Sequence, residues 1–305
     1  LRIRIATRKS ELALWQAHHA ADQLRRLPAV SAVELVPLTT QGDRLLHREL
    51  SDLGGKGLFI KELEMAIRDD AADIAVHSMK DVPAEVPDGF CIAALLERGN
   101  PFDALVGSKG ATLAELPRGA VVGSSSLRRQ AQLKALRPDL EVRSLRGNVN
   151  TRLAKLDRGD YDAVVLACAG LERLELRQRI GEQFAPDRML PATAQGVIGI
   201  ECASGRDDLR ELVALLNHPA TEVTTGAERS VAAYLEASCH SPLASYAVLE
   251  RGVVTLTALV ASVDGKTLLR QQVSGPVEEA KQLGSRVGRR LLDLGADKLL
   301  REANE

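Results

Sequence analysis

Ala120-Val121-Val122-Gly123-Ser124-Ser125-Ser126-Leu127-Arg128-Arg129-Gln130 is the stretch on which the fold turns. An apolar run ends at a glycine, three serines follow, and a helical segment begins. That is a strand entering a helix through a capped turn, with the helix read from Leu127 to Leu136. The event recurs on both sides. Leu140 to Ser144 reads as a strand and Val149 to Arg158 as a helix. Tyr161 to Cys168 is a nearly continuous apolar run, as in a strand buried on both faces. Upstream, strands at Arg2 to Ala6, Val33 to Leu38 and Asp73 to Val76 alternate with helices at Ser10 to Leu27 and Leu58 to Arg68. Such alternation predicts mostly parallel sheets with right-handed crossovers.

Two pauses interrupt the pattern, at Arg98 to Asp103 and at Pro186 to Gly196, and a buried strand at Val197 to Cys202 follows the second. They bracket one α/β set, which predicts an inserted domain on a two-strand hinge. The cleft of such a pair is a natural ligand site. After Pro219 the texture changes. A helix at Thr221 to Leu235 precedes three alternating segments, Ala244 to Leu249, Val253 to Val260 and Thr267 to Val273, joined by hairpin signals. One long helix from Val277 to about Arg301 closes the chain. The expected fold is therefore α/β in its first two domains, with a smaller C-terminal α+β domain carrying a three-stranded antiparallel sheet. The expected boundaries are 1–98 with 197–218, 99–196, and 219–305.

Composition narrows the function. The chain has 305 residues, 45% hydrophobic and 27% charged, ordinary for a globular protein. Aromatics make up only 3%, which argues against a base-stacking nucleic-acid module. No run approaches about 18 apolar residues, so no transmembrane helix is expected. Leu1-Arg2-Ile3-Arg4 enters a strand pattern without a signal-peptide core. Cys91, Cys168 and Cys202 read as small buried hydrophobes near strand ends, with no C-x-x-C spacing and no zinc-ligand pattern. These features predict a cytoplasmic protein with no metal, no nucleic-acid partner and no membrane partner. Net charge is -1, yet the basic residues divide into 30 Arg and 10 Lys. Arg suits bidentate carboxylate or phosphate recognition, although GC-rich coding also inflates it.

The candidate chemistry sits at strand ends. Ser124 to Ser126 and the following helix start form an anion-binding arrangement. Arg128 and Arg129 in the first turn oppose the helix dipole unless an anion docks there; the plain alternative is a capped helix with solvated arginines. Arg146 and Arg152 flank a second strand-to-helix junction, with Gly147 and Asn148 at the turn. Arg8, with Ser10 close behind, ends the first strand, and Arg173 follows the Ala169-Gly170 turn. Open α/β sheets bind ligands at these carboxyl ends. Val76-His77-Ser78-Met79-Lys80-Asp81-Val82-Pro83 also ends a strand. Lys80 and Asp81 offer an ammonium and a carboxylate in one loop, although spacing alone favours an ordinary surface pair. Cys239 lies in a polar, Pro-terminated loop, Glu236 to Pro242. No phosphate loop, dinucleotide fingerprint or nucleophile elbow is present. The residues thus reach an anion-binding cleft and leave polycarboxylate and phosphate both open.

These stretches, with Ile5-Ala6-Thr7-Arg8, Gly54-Gly55-Lys56-Gly57-Leu58-Phe59 and Pro191 to Glu201, resemble the porphobilinogen deaminase family, in order and over the whole chain. The resemblance implies three domains, the first two like periplasmic binding proteins. It implies a transferase of porphyrin and haem biosynthesis that joins four porphobilinogen molecules into the linear tetrapyrrole hydroxymethylbilane, releasing four ammonia. It implies a dipyrromethane cofactor held by a thioether to Cys239, and a monomer. By the same resemblance Asp81 is the catalytic aspartate, Lys80 beside it belongs to the catalytic set, and both contact the cofactor. Ser78, Ser124, Ser126, Arg128, Arg129, Arg146 and Gly170 are then cofactor contacts. Arg8, Ser10, Phe59, Arg146, Arg152, Arg173 and Gln195 are then contacts of substrate and growing oligopyrrole chain. A different class of reading, a two-domain small-anion binder without catalysis, has no use for Asp81 or Cys239.

The chain departs from the family pattern at two places. The cofactor loop commonly reads Gly-Gly-Cys-Gln-Val-Pro, and here it is Ala237-Ser238-Cys239-His240-Ser241-Pro242. Ala194 stands before Gln195-Gly196 where glycine is usual, which predicts a stiffer hinge.

Overall fold

The computed structural model describes residues 1–40, 60–238 and 240–303. Its strands are β1 (Arg2–Arg8), β2 (Ala32–Leu38), β3 (Ile74–Ser78), β4 (Phe90–Leu95), β5 (Asp103–Gly107), β6 (Val121–Gly123), β7 (Glu141–Arg143), β8 (Ala163–Ala167), β9 (Glu182–Gln183), β10 (Ile198–Ala203), β11 (Leu243–Glu250), β12 (Val253–Ala261) and β13 (Leu268–Pro276). Its helices are α1 (Glu11–Leu24), α2 (Lys61–Arg68), α3 (Leu127–Leu136), α4 (Val149–Asp157), α5 (Cys168–Arg173), α6 (Asp207–Ala214), α7 (Pro219–Tyr234), α8 (Ala280–Asp293) and α9 (Ala296–Glu302). Two compact units result, one of Leu1–Arg98 with Val197–Glu222, the other of Gly99–Gly196 with Val223–Glu305.

The first unit holds a five-stranded sheet in the order β2-β1-β3-β10-β4. β1, β2, β3 and β4 run one way and β10 runs against them. Ile3 and Ile5 of β1 are buried, while Arg4 bonds Asp73 and Asp70. On α1, Ala17, Ala20, Ala21 and Leu24 pack against Ile3, Ile5, Ile74 and Ile200. Small alanines on that face bring the helix close to the sheet. The Ser10 side chain caps α1 by accepting from Ala13 N.

The second unit holds a sheet in the order β7-β6-β8-β5-β9, with β5 antiparallel to its neighbours β8 and β9. β8 is buried from Ala163 through Leu166, as its apolar run requires. A three-stranded antiparallel sheet, β11-β12-β13, belongs to the same unit, with α8 packed on it. Ala131 and Leu190 share one core with Ala244, Leu259 and Ala261.

Several elements differ from the sequence reading. The closing helix is two helices, because Gly295 takes φ +93° and a left-handed residue ends α8 before α9 begins. The Ala169-Gly170 turn is the first turn of α5. β7 stops at Arg143, so Arg146 lies in the following turn rather than at the strand end. β5 starts at Asp103, the last residue of the first pause, and is a strand the sequence reading did not include. Cys168 and Cys202 are buried, and Cys91 is partly exposed. Leu58 and Phe59 lie outside the described residues.

Candidate functional site

In the first unit β1 and β3 are parallel neighbours, with Ala6 opposite Ala75. Their carboxyl ends therefore lie on one edge of the sheet. That edge carries Arg8 and Ser10 from β1 and its turn, and Ser78 to Asp81 from β3. The latter residues form a single 3-10 turn, Met79–Asp81. Met79 is buried, its N–H donates to Val197 O at 3.0 Å, and Val82 N–H closes the turn on Met79 O. Gln16, also buried, exchanges two hydrogen bonds with Ser78 Oγ, at 2.8 and 3.1 Å. Lys80 is half-buried and Asp81 is exposed. An anchored turn thus presents one carboxylate to solvent.

Beneath that turn lies a buried polar cluster. His77 Nε2 is 2.9 Å from Glu201 Oε2, tying β3 to β10. Glu64 of α2 is raised above the ordinary carboxyl range by burial, and the Glu201 charge adds to the effect. His77 lies in β3, as read from sequence, and its ring shares a hydrogen bond with Glu201.

In the second unit β7, β6 and β8 are parallel, so their carboxyl ends also share an edge. Ser124 to Ser126, Ser144 to Arg146, and Gly170 to Arg173 gather there. Ser126 caps α3 and Asn148 caps α4. Ser124 is buried, and its Oγ accepts from Ser126 N–H. Ser125 Oγ lies 2.9 Å from Ser144 Oγ and donates to Leu145 O, which ties the two turns together. Arg152 Nε donates to Gly147 O at 2.8 Å. Arg146 and Arg152 are half-buried, and Gly170 is buried within α5.

Arg128 and Arg129 meet an anion of the chain itself. Asp103, at the start of β5, accepts from Arg128 Nη1 at 2.7 Å and from Arg129 Nη2 at 2.7 Å. All three residues are buried. Burial alone would raise the Asp103 pKa, but the two guanidinium charges outweigh it and hold the carboxyl far below its usual range. Gln195 Nε2 also donates to Asp103, at 3.0 Å, and to Pro101 O. Arg173 Nη2 donates to Gly196 O at 2.6 Å, and burial lowers its pKa to about 10. Sequence reasoning missed Asp103. Its signal was an acidic residue directly before the apolar run Ala104-Leu105-Val106.

The residues around Cys239 carry a further observation. Cys239 lies outside the described residues. His240 has its pKa lowered by burial and then by the positive charge of Arg146. The Arg146 guanidinium is therefore near enough to His240 for its charge to be felt there. Arginine with nearby serine hydroxyls is a donor set that fits the paired carboxylates of a dipyrromethane.

Comparison with known proteins gives a consistent picture. The description "Porphobilinogen deaminase, dipyromethane cofactor binding domain" matches residues 3–211, and "Porphobilinogen deaminase, C-terminal domain" matches residues 222–293. The porphobilinogen deaminase of Chromobacterium violaceum is 52% identical over 299 residues, covering 98% of this chain and 97% of that protein. That of Neisseria meningitidis serogroup A is 51% identical over 296 residues, covering 97% and 95%. Among solved structures, the periplasmic VFT2 domain of Bordetella pertussis BvgS is 14% identical with a TM-score of 0.42, covering 70% of this chain and 85% of that one. With half of all positions shared from end to end, and both family domains matched in order, the chain belongs to the porphobilinogen deaminase family.

Proposed function

We propose that this protein condenses four molecules of porphobilinogen, head to tail, into hydroxymethylbilane, with release of one ammonia per ring. The observation that carries the reading is the Ser78–Asp81 turn. It holds one exposed carboxylate on a support fixed by Gln16, Val197 and the His77–Glu201 pair. Loss of ammonia from the substrate's aminomethyl group leaves an azafulvenium cation. A fixed carboxylate beside the pyrrole N–H stabilises that charge where it develops. Because the turn is anchored, the Asp81 carboxylate needs little reorganisation as the charge appears.

In this reading a dipyrromethane, when bound, supplies the covalent primer on which the chain grows. Cys239 forms the thioether. Lys80, Ser78, Ser124, Ser126, Arg146 and Gly170 hold its carboxylates and backbone. Arg128 and Arg129 belong to the same set of contacts while paired to Asp103. Arg8, Ser10, Phe59, Arg152, Arg173 and Gln195 serve the substrate and the growing chain. Every added pyrrole brings two carboxylates, which gives a use to arginines at strand ends. The three-domain division at 1–98 with 197–218, 99–196 and 219–305 serves this activity. The reading carries over a cytoplasmic, monomeric enzyme with no nucleic-acid or membrane partner from the family.

The experiment follows both ammonia and product mass after addition of porphobilinogen, alongside the intact mass of the protein. One ammonia per ring, a four-ring product, and a protein heavier than its chain by two pyrrole units are expected. A Cys239→Ser protein loses the extra mass and the activity. Unmodified mass together with no ammonia release overturns the reading.

A further inference from the structure

β4 and β10 are antiparallel neighbours, and their register sets Cys91 opposite Cys202. Cross-strand partners point to the same face, with Cα atoms about 4.5–5.5 Å apart, inside the roughly 4.4–6.8 Å span of disulfides. The side chains already face each other, with Sγ atoms 3.7 Å apart. The two thiols differ in access. Cys202 is fully buried in the core of the first unit, and Cys91 is partly exposed at its margin. Among the described residues β4 is the edge strand of its sheet, paired on one side to β10. It can give as the sulfurs close to about 2.05 Å. Burial pushes the Cys202 thiol up to about 12, with the Cys91 sulfur adding to the rise, Arg210 opposing it and Glu201 reinforcing it. The attacking thiolate is therefore the accessible one, and the buried one resolves.

We propose that Cys91 and Cys202 form a reversible dithiol–disulfide site oxidised by hydrogen peroxide. The Cys91 thiolate attacks one peroxide oxygen, the O–O bond breaks, and hydroxide leaves with the electron pair. It takes up the proton that Cys91 gave up and becomes water. Cys91 is now a sulfenic acid. Cys202 Sγ attacks Cys91 Sγ, the S–S bond forms, and the sulfenic hydroxyl leaves as a second water with the Cys202 proton. The two sulfurs give two electrons to the two peroxide oxygens, and a thiol such as dithiothreitol restores the pair. The bond ties positions 111 residues apart. It restricts the unfolded chain and leaves the face near Ser78 to Asp81 chemically unaltered.

The test treats freshly reduced, full-length holoenzyme with hydrogen peroxide, quenches with an alkylating agent, and maps peptides without reduction. A linked Cys91–Cys202 peptide, a mass lower by two hydrogens, and reversal by dithiothreitol are expected. A Cys202→Ser protein holds Cys91 as a sulfenic acid that dimedone traps. Because the map is read on the unsubstituted protein, the outcome does not depend on whether a variant folds. A map in which both thiols stay alkylatable, or in which Cys91 proceeds to sulfinic acid with no linked peptide, overturns the proposal.

Discussion

Arg129 grips one oxygen of Asp103 twice, through Nε at 2.9 Å and Nη2 at 2.7 Å, where neither side chain reaches bulk water. Arg128 takes the other oxygen, so the site carries two cations and one anion. Asp103→Asn keeps the shape and removes the anion. A buried pair broken on one side costs about 3–5 kcal/mol. The urea midpoint of Asp103→Asn is expected to fall accordingly. A midpoint within experimental error of the parent shows that the pair does not hold the fold.

Acid sensitivity follows from the same group. The folded pKa of Asp103 is depressed, so its contribution is fully present above its unfolded value of about 3.9. It is lost as pH falls below that value toward the folded one. Stability measured from pH 7 downward is expected to hold until roughly pH 4 and then decline. The Asp103→Asn protein starts lower and shows a shallower acid slope. Equal slopes for the two proteins contradict this.

Asp81→Asn tests the proposed chemistry. Asp81 is exposed, so the change is expected to move the unfolding free energy by no more than about 0.5 kcal/mol. Turnover is expected to fall about a hundredfold or more, with the cofactor mass retained. Near-normal turnover in a loaded protein removes Asp81 from the catalytic role.

Gly199 guards the same turn from β10. A Cβ there would stand 2.1 Å from Met79 Sδ and 3.0 Å from Met79 Cγ. Met79 is fully buried, so its side chain has to shift within the core to make room. Gly199→Ala is expected to displace the Met79–Asp81 turn and lower kcat by about tenfold to a hundredfold, with a smaller change in KM. Unchanged kcat in a folded variant shows that the turn absorbs the methyl.

Ala194 adopts φ +56° and its N–H donates to Glu228 Oε2 at 2.7 Å. A left-handed alanine costs about 1–2 kcal/mol. Ala194→Gly relieves that strain but loses a buried methyl, about 0.8 kcal/mol, and adds about 0.5–1 kcal/mol of chain entropy. These terms nearly cancel, so Gly is expected to be neutral in denaturant melts. Ala194→Val meets the same φ with a β-branched side chain and is expected to destabilise by about 2 kcal/mol or more. A neutral Val variant contradicts the strain.

The elements legible in sequence were those announced by local chemistry. Leu127–Leu136 matched residue for residue because Ser126 caps one end and the apolar spacing sets the rest. The strand ends bearing Arg8, Lys80 and Asp81 were legible for the same reason. The partner of Arg128 and Arg129 was not. Asp103 lies 25 and 26 residues away, and only the antiparallel entry of β5 brings it to them. His77 and Glu201 are 124 residues apart, so their pairing has no local signature. The break at Gly295 was visible as a glycine, yet it reads equally as a tolerated helix residue. The arginines at 286, 289, 290 and 301 are exposed, in keeping with a compositional surplus.

The reversed strand β10 has a consequence for synthesis. Among the described residues of the first unit, β4 reaches the rest of its sheet only through β10, and β3 has β10 as its outer neighbour. When the ribosome has delivered residue 95, four of the five strands exist, yet the sheet cannot close. The other five-stranded sheet needs nothing beyond Gln183. Of the two five-stranded sheets, the one in the inserted stretch is thus the first to be completed, and the support of the Ser78–Asp81 turn comes into being after it, once residues 198–203 have emerged to fill the gap.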